Sequence, residues 1–203
     1  MAKRIILVRH GETDWNKEKR IQGGASDPPL NEEGRQQAAS LAFRLSQDKI
    51  QAIYSSPLKR TLDTARTIAR PHQLAVGIEP SLREIAAGDL EGITVAELGK
   101  RFSELLTLDA PGALPKAPGG ESLPEVQKRA WRTVQRLARK HPDGALVLVS
   151  HYFVILTIIC SVLKLPLSQI GRLRLGNGSI SIINLDGPAV WLEMFNDTGY
   201  LMK

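Results

Sequence analysis

Ile5-Ile6-Leu7-Val8-Arg9-His10-Gly11-Glu12-Thr13 is the stretch on which the fold turns. Four consecutive β-branched or aliphatic residues without a polar interruption read as a short strand covered on both faces, as in a parallel-rich sheet with helices on either side. Ala145-Leu146-Val147-Leu148-Val149 repeats the pattern and is followed by Ser150-His151, so each run closes within two residues of a histidine. Ala52 to Ser55 and Val76 to Ile78 read as further strands. Ser179 to Leu185 and Ala189 to Phe195 flank Asp186-Gly187-Pro188 as a late hairpin or an adjacent strand pair.

Between the strands the period changes to that of helices. Asn31 followed by Glu32 and Glu33 caps a helix reaching about Leu45, because the Asn31 side chain can accept from free amides and acids favour the positive helix end. Arg60 to Ala69 reads as a second helix. Thr94-Val95-Ala96-Glu97 and Ser122-Leu123-Pro124-Glu125 have capping-box spacing, and the second opens a long helix with Val126, Ala130, Val134 and Leu137 on its inner stripe. Strands alternating with helices predict a three-layer α/β/α sandwich with a mostly parallel central sheet. The 203 residues, 42% of them hydrophobic, suit one domain spanning 1–203. The Pro- and Gly-rich stretch from Thr107 to Gly120 reads as a loop or lid joining two helices.

Composition narrows the function classes. The net charge of +6 suits acidic ligands without distinguishing small phosphate esters from nucleic acid or anionic lipid. A lone cysteine, Cys160, inside an apolar stretch rules out an intrachain disulfide framework and reads as a small buried hydrophobe. The apolar run near the N-terminus is cut at Arg9, too short for a secretory core, so a cytoplasmic protein is expected. Ala145 to Leu163 could mimic a membrane span, but Ser150 and His151 divide it into a buried strand and a buried helix, and no membrane partner is expected.

The chemistry gathers where strands end. Arg9-His10-Gly11 follows the first strand, Ser150-His151 follows the second run, and Ser55-Ser56-Pro57-Leu58-Lys59-Arg60 follows a third, with Arg60 in the first turn of a helix. Open α/β sheets place ligands at the carboxyl ends of their strands, and guanidinium groups there suit a phosphate.

These motifs, with Leu7 to Asn16 and Leu82-Arg83-Glu84, resemble the histidine phosphatase superfamily, phosphoglycerate mutase-like branch, over nearly the whole chain. The resemblance implies that His10 is the nucleophile taking the phosphoryl group, that Arg9, Arg60 and His151 hold its oxygens, and that Glu84 protonates the leaving group and later deprotonates the attacking water. It also implies phosphate or substrate contacts at Asn16 and Gly23. The physics agrees: flanking cations keep a nucleophilic imidazole neutral and offset charge on the transferring group. His151 is more useful protonated, so the two histidines are expected to differ in charge. Tyr152 stands where many members carry glycine, and is expected to narrow the leaving-group side of the site.

The expected reaction is metal-independent hydrolysis of small phosphomonoesters through phosphohistidine on His10, with no cofactor and a small phosphorylated metabolite as partner. The alternative is a cofactor-dependent phosphoglycerate mutase, which shares the first half-reaction; the compact chain between Glu84 and Ser122 favours the phosphatase. No His-x-His, paired-carboxylate or Cys-Cys pattern indicates a metal site. Lys128, Arg129, Arg132, Arg136, Arg139 and Lys140 read as a solvated helix face rather than a nucleic-acid interface, since no aromatic platform is interleaved with them. His72 and His141 read as exposed loop residues. A homodimer stays open.

Overall fold

The computed structural model describes residues 3–101, 116–141 and 144–201. In β1 (Lys3–Arg9) the covered character of the opening run is realised by strict alternation: Ile5 and Leu7 enter one hydrophobic core, Ile6 and Val8 another on the opposite face. The same division occurs in β4 (Ala145–Ser150), where Leu146 and Leu148 face one core and Val147 and Val149 the other.

These strands belong to a six-stranded sheet of order β3-β2-β4-β1-β5-β6. β2 (Ile50–Ser55), β3 (Val76–Ile78), β4 and β1 run parallel to one another. β5 (Ile180–Asp186) runs antiparallel to β1, and β6 (Ala189–Asp197) antiparallel to β5, forming the expected late hairpin around Gly187, whose φ of 57° suits glycine. All six strands fall where the sequence places them. β2 starts two residues earlier than its apolar core because Ile50 pairs with Ala145 across a register irregularity.

One helical layer comprises α2 (Glu32–Leu45) and α3 (Lys59–Ala69), whose Leu41, Leu45, Ala65 and Ile68 pack on Ile6, Val8 and Ile53. The other comprises α5 (Leu123–Lys140) and α6 (Tyr152–Leu163). Val126, Ala130, Val134 and Leu137 of α5 are fully buried, as their spacing predicts. The Ser122–Glu125 capping box forms, with Ser122 N donating to Glu125 Oε2 at 2.7 Å. Two further helices, α1 (Asp14–Lys17) and α4 (Val95–Arg101), flank the sheet's carboxyl edge. The stretch from Ala145 to Leu163 divides into β4 and α6, and among the described residues no helix is long and apolar enough to cross a membrane. Of the Thr107 to Gly120 loop, residues 107–115 lie outside the described residues.

Two glycines let α2 begin directly against the loop after β1. A Cβ on Gly34 would collide with the Glu12 carbonyl, and one on Gly11 with the Gly34 carbonyl. Asn31 N donates to Glu12 O at 3.0 Å, and Asn31 Nδ2 to Glu12 Oε1 at 2.9 Å, which fixes the loop that carries His10.

Candidate active site

Register brings the strand-end residues together. Arg9 pairs with Ser150 across β1 and β4, so His10 and His151, each one position further on, stand side by side. Their ring centroids are 5.2 Å apart with planes at 62°. His10 N continues the ladder to Ser150 O at 3.1 Å, and Ser56 N does the same to Val149 O at 3.1 Å. Ser56 Oγ is thereby placed 2.8 Å from His151 Nε2, a hydrogen bond between groups 95 residues apart in sequence. His10 and His151 are both buried, as is Arg60 at the start of α3, an expensive arrangement for an arginine that calls for compensation.

The compensation is partial. Arg60 donates to Ser26 O at 3.0 Å and to Gly23 O at 3.1 Å, and Arg9 donates to Leu175 O at 2.5 Å. Yet the Nε atoms of Arg9 and Arg60 and Nδ1 of His151 are buried with no hydrogen-bond partner. Burial pulls the pKa of both arginines down to about 10, which leaves them charged at neutral pH.

His10 Nδ1 lies 2.7 Å from Gly11 O. A carbonyl can only accept, so Nδ1 carries the proton and Nε2 keeps its lone pair. Burial first, then Arg60 and Arg9, push the His10 pKa well below its usual 6.5. The same causes, burial ahead of Arg60, also push His151 well below 6.5. The expectation that the two histidines differ in charge is therefore corrected for the protein without substrate: both are held neutral at pH 7, because His151 lies as deep as His10 and faces the same cations.

Glu84 completes the cluster. It follows the turn Pro80–Leu82, whose Leu82 is fully buried and whose carbonyl accepts from Ser150 Oγ at 2.8 Å. The Glu84 carboxylate accepts from Ile85 N at 2.9 Å and Phe153 N at 3.3 Å. Burial raises its pKa from the ordinary carboxylate value, outweighing those bonds and the pull of Arg60 and Arg9.

A second correction concerns Arg129. It does not belong to the solvated face of α5: it is half-buried, donates to both oxygens of Glu121 at 2.9 Å, to Ser81 O at 2.8 Å and to Glu84 O at 3.3 Å. Glu121 Oε2 in turn accepts from Ala86 N at 3.0 Å. The segment 81–86, which carries Glu84, is thus held at both ends, by Arg129 of α5 and by Glu121 just ahead of that helix. Arg136 of the same face pairs with Glu79.

Two imidazoles, two arginines and a carboxylic acid so disposed suit phosphoryl transfer to nitrogen, and the comparison with known proteins agrees. The family model of the histidine phosphatase superfamily (branch 1) matches residues 5–198. The chain belongs to this superfamily. Phosphoserine phosphatase 1 of Hydrogenobacter thermophilus is 36% identical over 185 residues, covering 90% of this chain and 87% of that protein. The probable phosphoglycerate mutase GpmB of Cronobacter sakazakii is 38% identical over 183 residues, covering 89% and 84%. The structure of a phosphoserine phosphatase from Entamoeba histolytica in complex with 3-phosphoglyceric acid has a TM-score of 0.85 at 32% identity, covering 98% of this chain and all of that one. The protein is thus a histidine phosphatase superfamily enzyme of the phosphoglycerate mutase-like branch.

The remaining sequence-selected residues of this histidine phosphatase fold take distinct places. Asn16 closes a capping box with Thr13, and its Oδ1 also accepts from Asn177 Nδ2 at 3.1 Å, so it ties the His10 loop to the chain ahead of β5. Gly23 contributes its carbonyl to Arg60, and a Cβ there would lie 2.5 Å from Glu91 Oε1 and 2.8 Å from Ala87 Cβ. Tyr152 stands in the pocket wall, donates to Leu173 O at 3.2 Å, and lies beneath the Arg9 guanidinium at 5.1 Å. Neither other histidine is an exposed loop residue: His141 Nε2 is 2.8 Å from Tyr54 Oη, and His72 has a buried Nε2. Among the described residues no group of three or more His, Cys, Asp and Glu is arranged to hold a metal.

Sequence reasoning missed Arg129, Glu121 and Ser56. Arg129 sits three residues beyond Val126 and one before Ala130, at the margin of the buried stripe, which was its available signal.

Proposed function

We propose that the protein is a metal-independent phosphatase of small phosphomonoesters. The observation that carries this reading is the tautomer of His10: Nδ1 is committed to Gly11 O, and Nε2 is left with a lone pair between two charged arginines. Nε2 attacks phosphorus while the bond to the ester oxygen breaks, and Glu84, whose raised pKa keeps the acid form accessible, delivers a proton to the departing alcohol. Glu84, now a carboxylate, takes a proton from water as that oxygen attacks the phosphohistidine; the P–N bond breaks and inorganic phosphate leaves. Arg9, Arg60 and His151 neutralise the charge spread over the phosphoryl oxygens in both steps. A phosphoryl dianion among these groups opposes the cations that depress His151, and favours its protonation only when substrate is bound.

The test is phosphate release in the presence of a chelator, with His10→Ala alongside. Release falling on the order of 10³-fold or more in the variant supports the reading; release that persists in His10→Ala, or that needs a divalent metal, refutes it. Since one relative is named as a probable mutase, 3- to 2-phosphoglycerate isomerisation belongs in the same assay, and isomerisation faster than release would replace hydrolysis as the reaction.

A further inference from the structure

Beside the catalytic groups lies a cavity of about 380 Å³, at the small end of ligand sites. Its wall away from His10 is apolar: Ile21, Ile85, Leu90, Val95, Leu98 and Phe153. Four of these, Ile21, Leu90, Val95 and Leu98, belong to neither core of the sheet, and Val95 is 57% exposed. Large apolar side chains that serve no core are costly to leave against water, and their gathering at one place points to a ligand that covers them.

The charged groups in this wall outside the catalytic cluster are already paired. Arg20 is held by Glu18 at 2.5 Å and by Gly92 O at 3.0 Å. Glu121 is neutralised by Arg129, and the amides of Gln22 and Asn16, whose oxygens accept from Thr13 Oγ1 and Thr13 N, are neutral and supply no countercharge. Among the described residues no lining cation outside the phosphate cluster lacks an anionic partner. A leaving group bearing a carboxylate would lose its hydration here without a countercharge, whereas an alkyl or aryl group would shed water from both surfaces.

We infer that the leaving-group side of this site selects uncharged, apolar alcohols, so that the preferred substrates are alkyl or aryl phosphomonoesters and not phosphoserine or phosphoglycerate. This rests on the phosphatase reading above. It sets the chain apart from the substrates that its relatives' names carry, while keeping their chemistry. Val95 and Leu98 are on one helix, α4, which makes that helix the element that sets specificity.

The experiment is a ladder of ethyl, butyl and hexyl phosphate, set against phosphoserine and 3-phosphoglycerate, all with unactivated alcohol leaving groups, in wild type, His10→Ala and Leu98→Lys. The expected result is a kcat/KM that climbs about two- to fourfold per methylene until the cavity fills, since a buried methylene contributes about 0.8 kcal/mol. Hexyl phosphate should exceed both carboxylate esters, and Leu98→Lys should flatten the ladder and narrow that gap. A flat ladder in wild type, or phosphoserine or phosphoglycerate hydrolysed faster than hexyl phosphate in a His10-dependent way, overturns this inference and leaves the phosphatase standing. No His10-dependent release from any ester overturns both.

Discussion

At the scale of single residues, the site works by burying groups that resist burial. Glu84 illustrates the trade. Its folded pKa is raised above the unfolded value, so the proton it retains stabilises the fold at acidic pH, and that contribution is lost as pH rises from about 4.5 through the folded pKa. Glu84→Gln removes the ionisation. Hydrolysis should fall by roughly 10²–10⁴-fold, while the melting temperature of the variant relative to wild type should rise from pH 5 to pH 8. Calorimetry across that range checks the sign; a difference that does not change with pH would show that the fold does not raise the Glu84 pKa. Tyr152, beneath Arg9 and bonded to Leu173 O, is a wall residue with a supporting duty, which its position next to His151 could not disclose.

At the scale of elements, the decisive feature is how α5 grips the segment bearing Glu84. Arg129 supplies four donor contacts in a fixed fork, a geometry that lysine does not reproduce. Arg129→Met should lower kcat about tenfold or more with little change in KM, because the acid loses its placement and the phosphate cluster does not. The pH-rate profile should shift as well, with Arg129→Lys restoring part of the rate. Unchanged kcat with reduced thermal stability alone would make the contact merely structural. The start of α2 is equally constrained: Gly34→Ala drives a methyl into the Glu12 carbonyl and should cost roughly 1–3 kcal/mol in urea unfolding. A neutral effect there would mean that the loop after β1 can retreat.

At the scale of the whole molecule, three adjacent parallel strands, β2, β4 and β1, deliver Ser56, His151 and His10 to one edge of the sheet, and the two cores hold that edge rigid. The cost appears as pH-dependent stability. Both histidines have folded pKa values well below 6.5, so the stability that depends on their neutrality is fully present above pH 6.5 and is lost as pH falls below it. Urea midpoints of the wild type should drop as pH falls from 7 towards 5, and the double variant His10→Asn, His151→Asn should show a shallower drop. Equal slopes would place the histidines outside the groups that govern acid stability.

The sequence alone was enough to place all six strands, both capping boxes on α4 and α5, the inner stripe of α5, and the strand-end clustering of Arg9, His10, Arg60 and His151, because period, caps and strand ends are local properties of the chain. Only tertiary structure decided what depends on distant neighbours. The shared neutrality of His10 and His151 comes from common burial among the same cations. The role of Arg129 comes from Glu121 and from the carbonyls of Ser81 and Glu84 meeting it across the fold, and the packing of His141 from Tyr54, 87 residues away. The apolar wall came from four side chains, far apart in sequence or about one helical turn apart, that no core claims. Charge states and pocket chemistry are set by what surrounds a residue, and the surroundings exist only once the chain is folded.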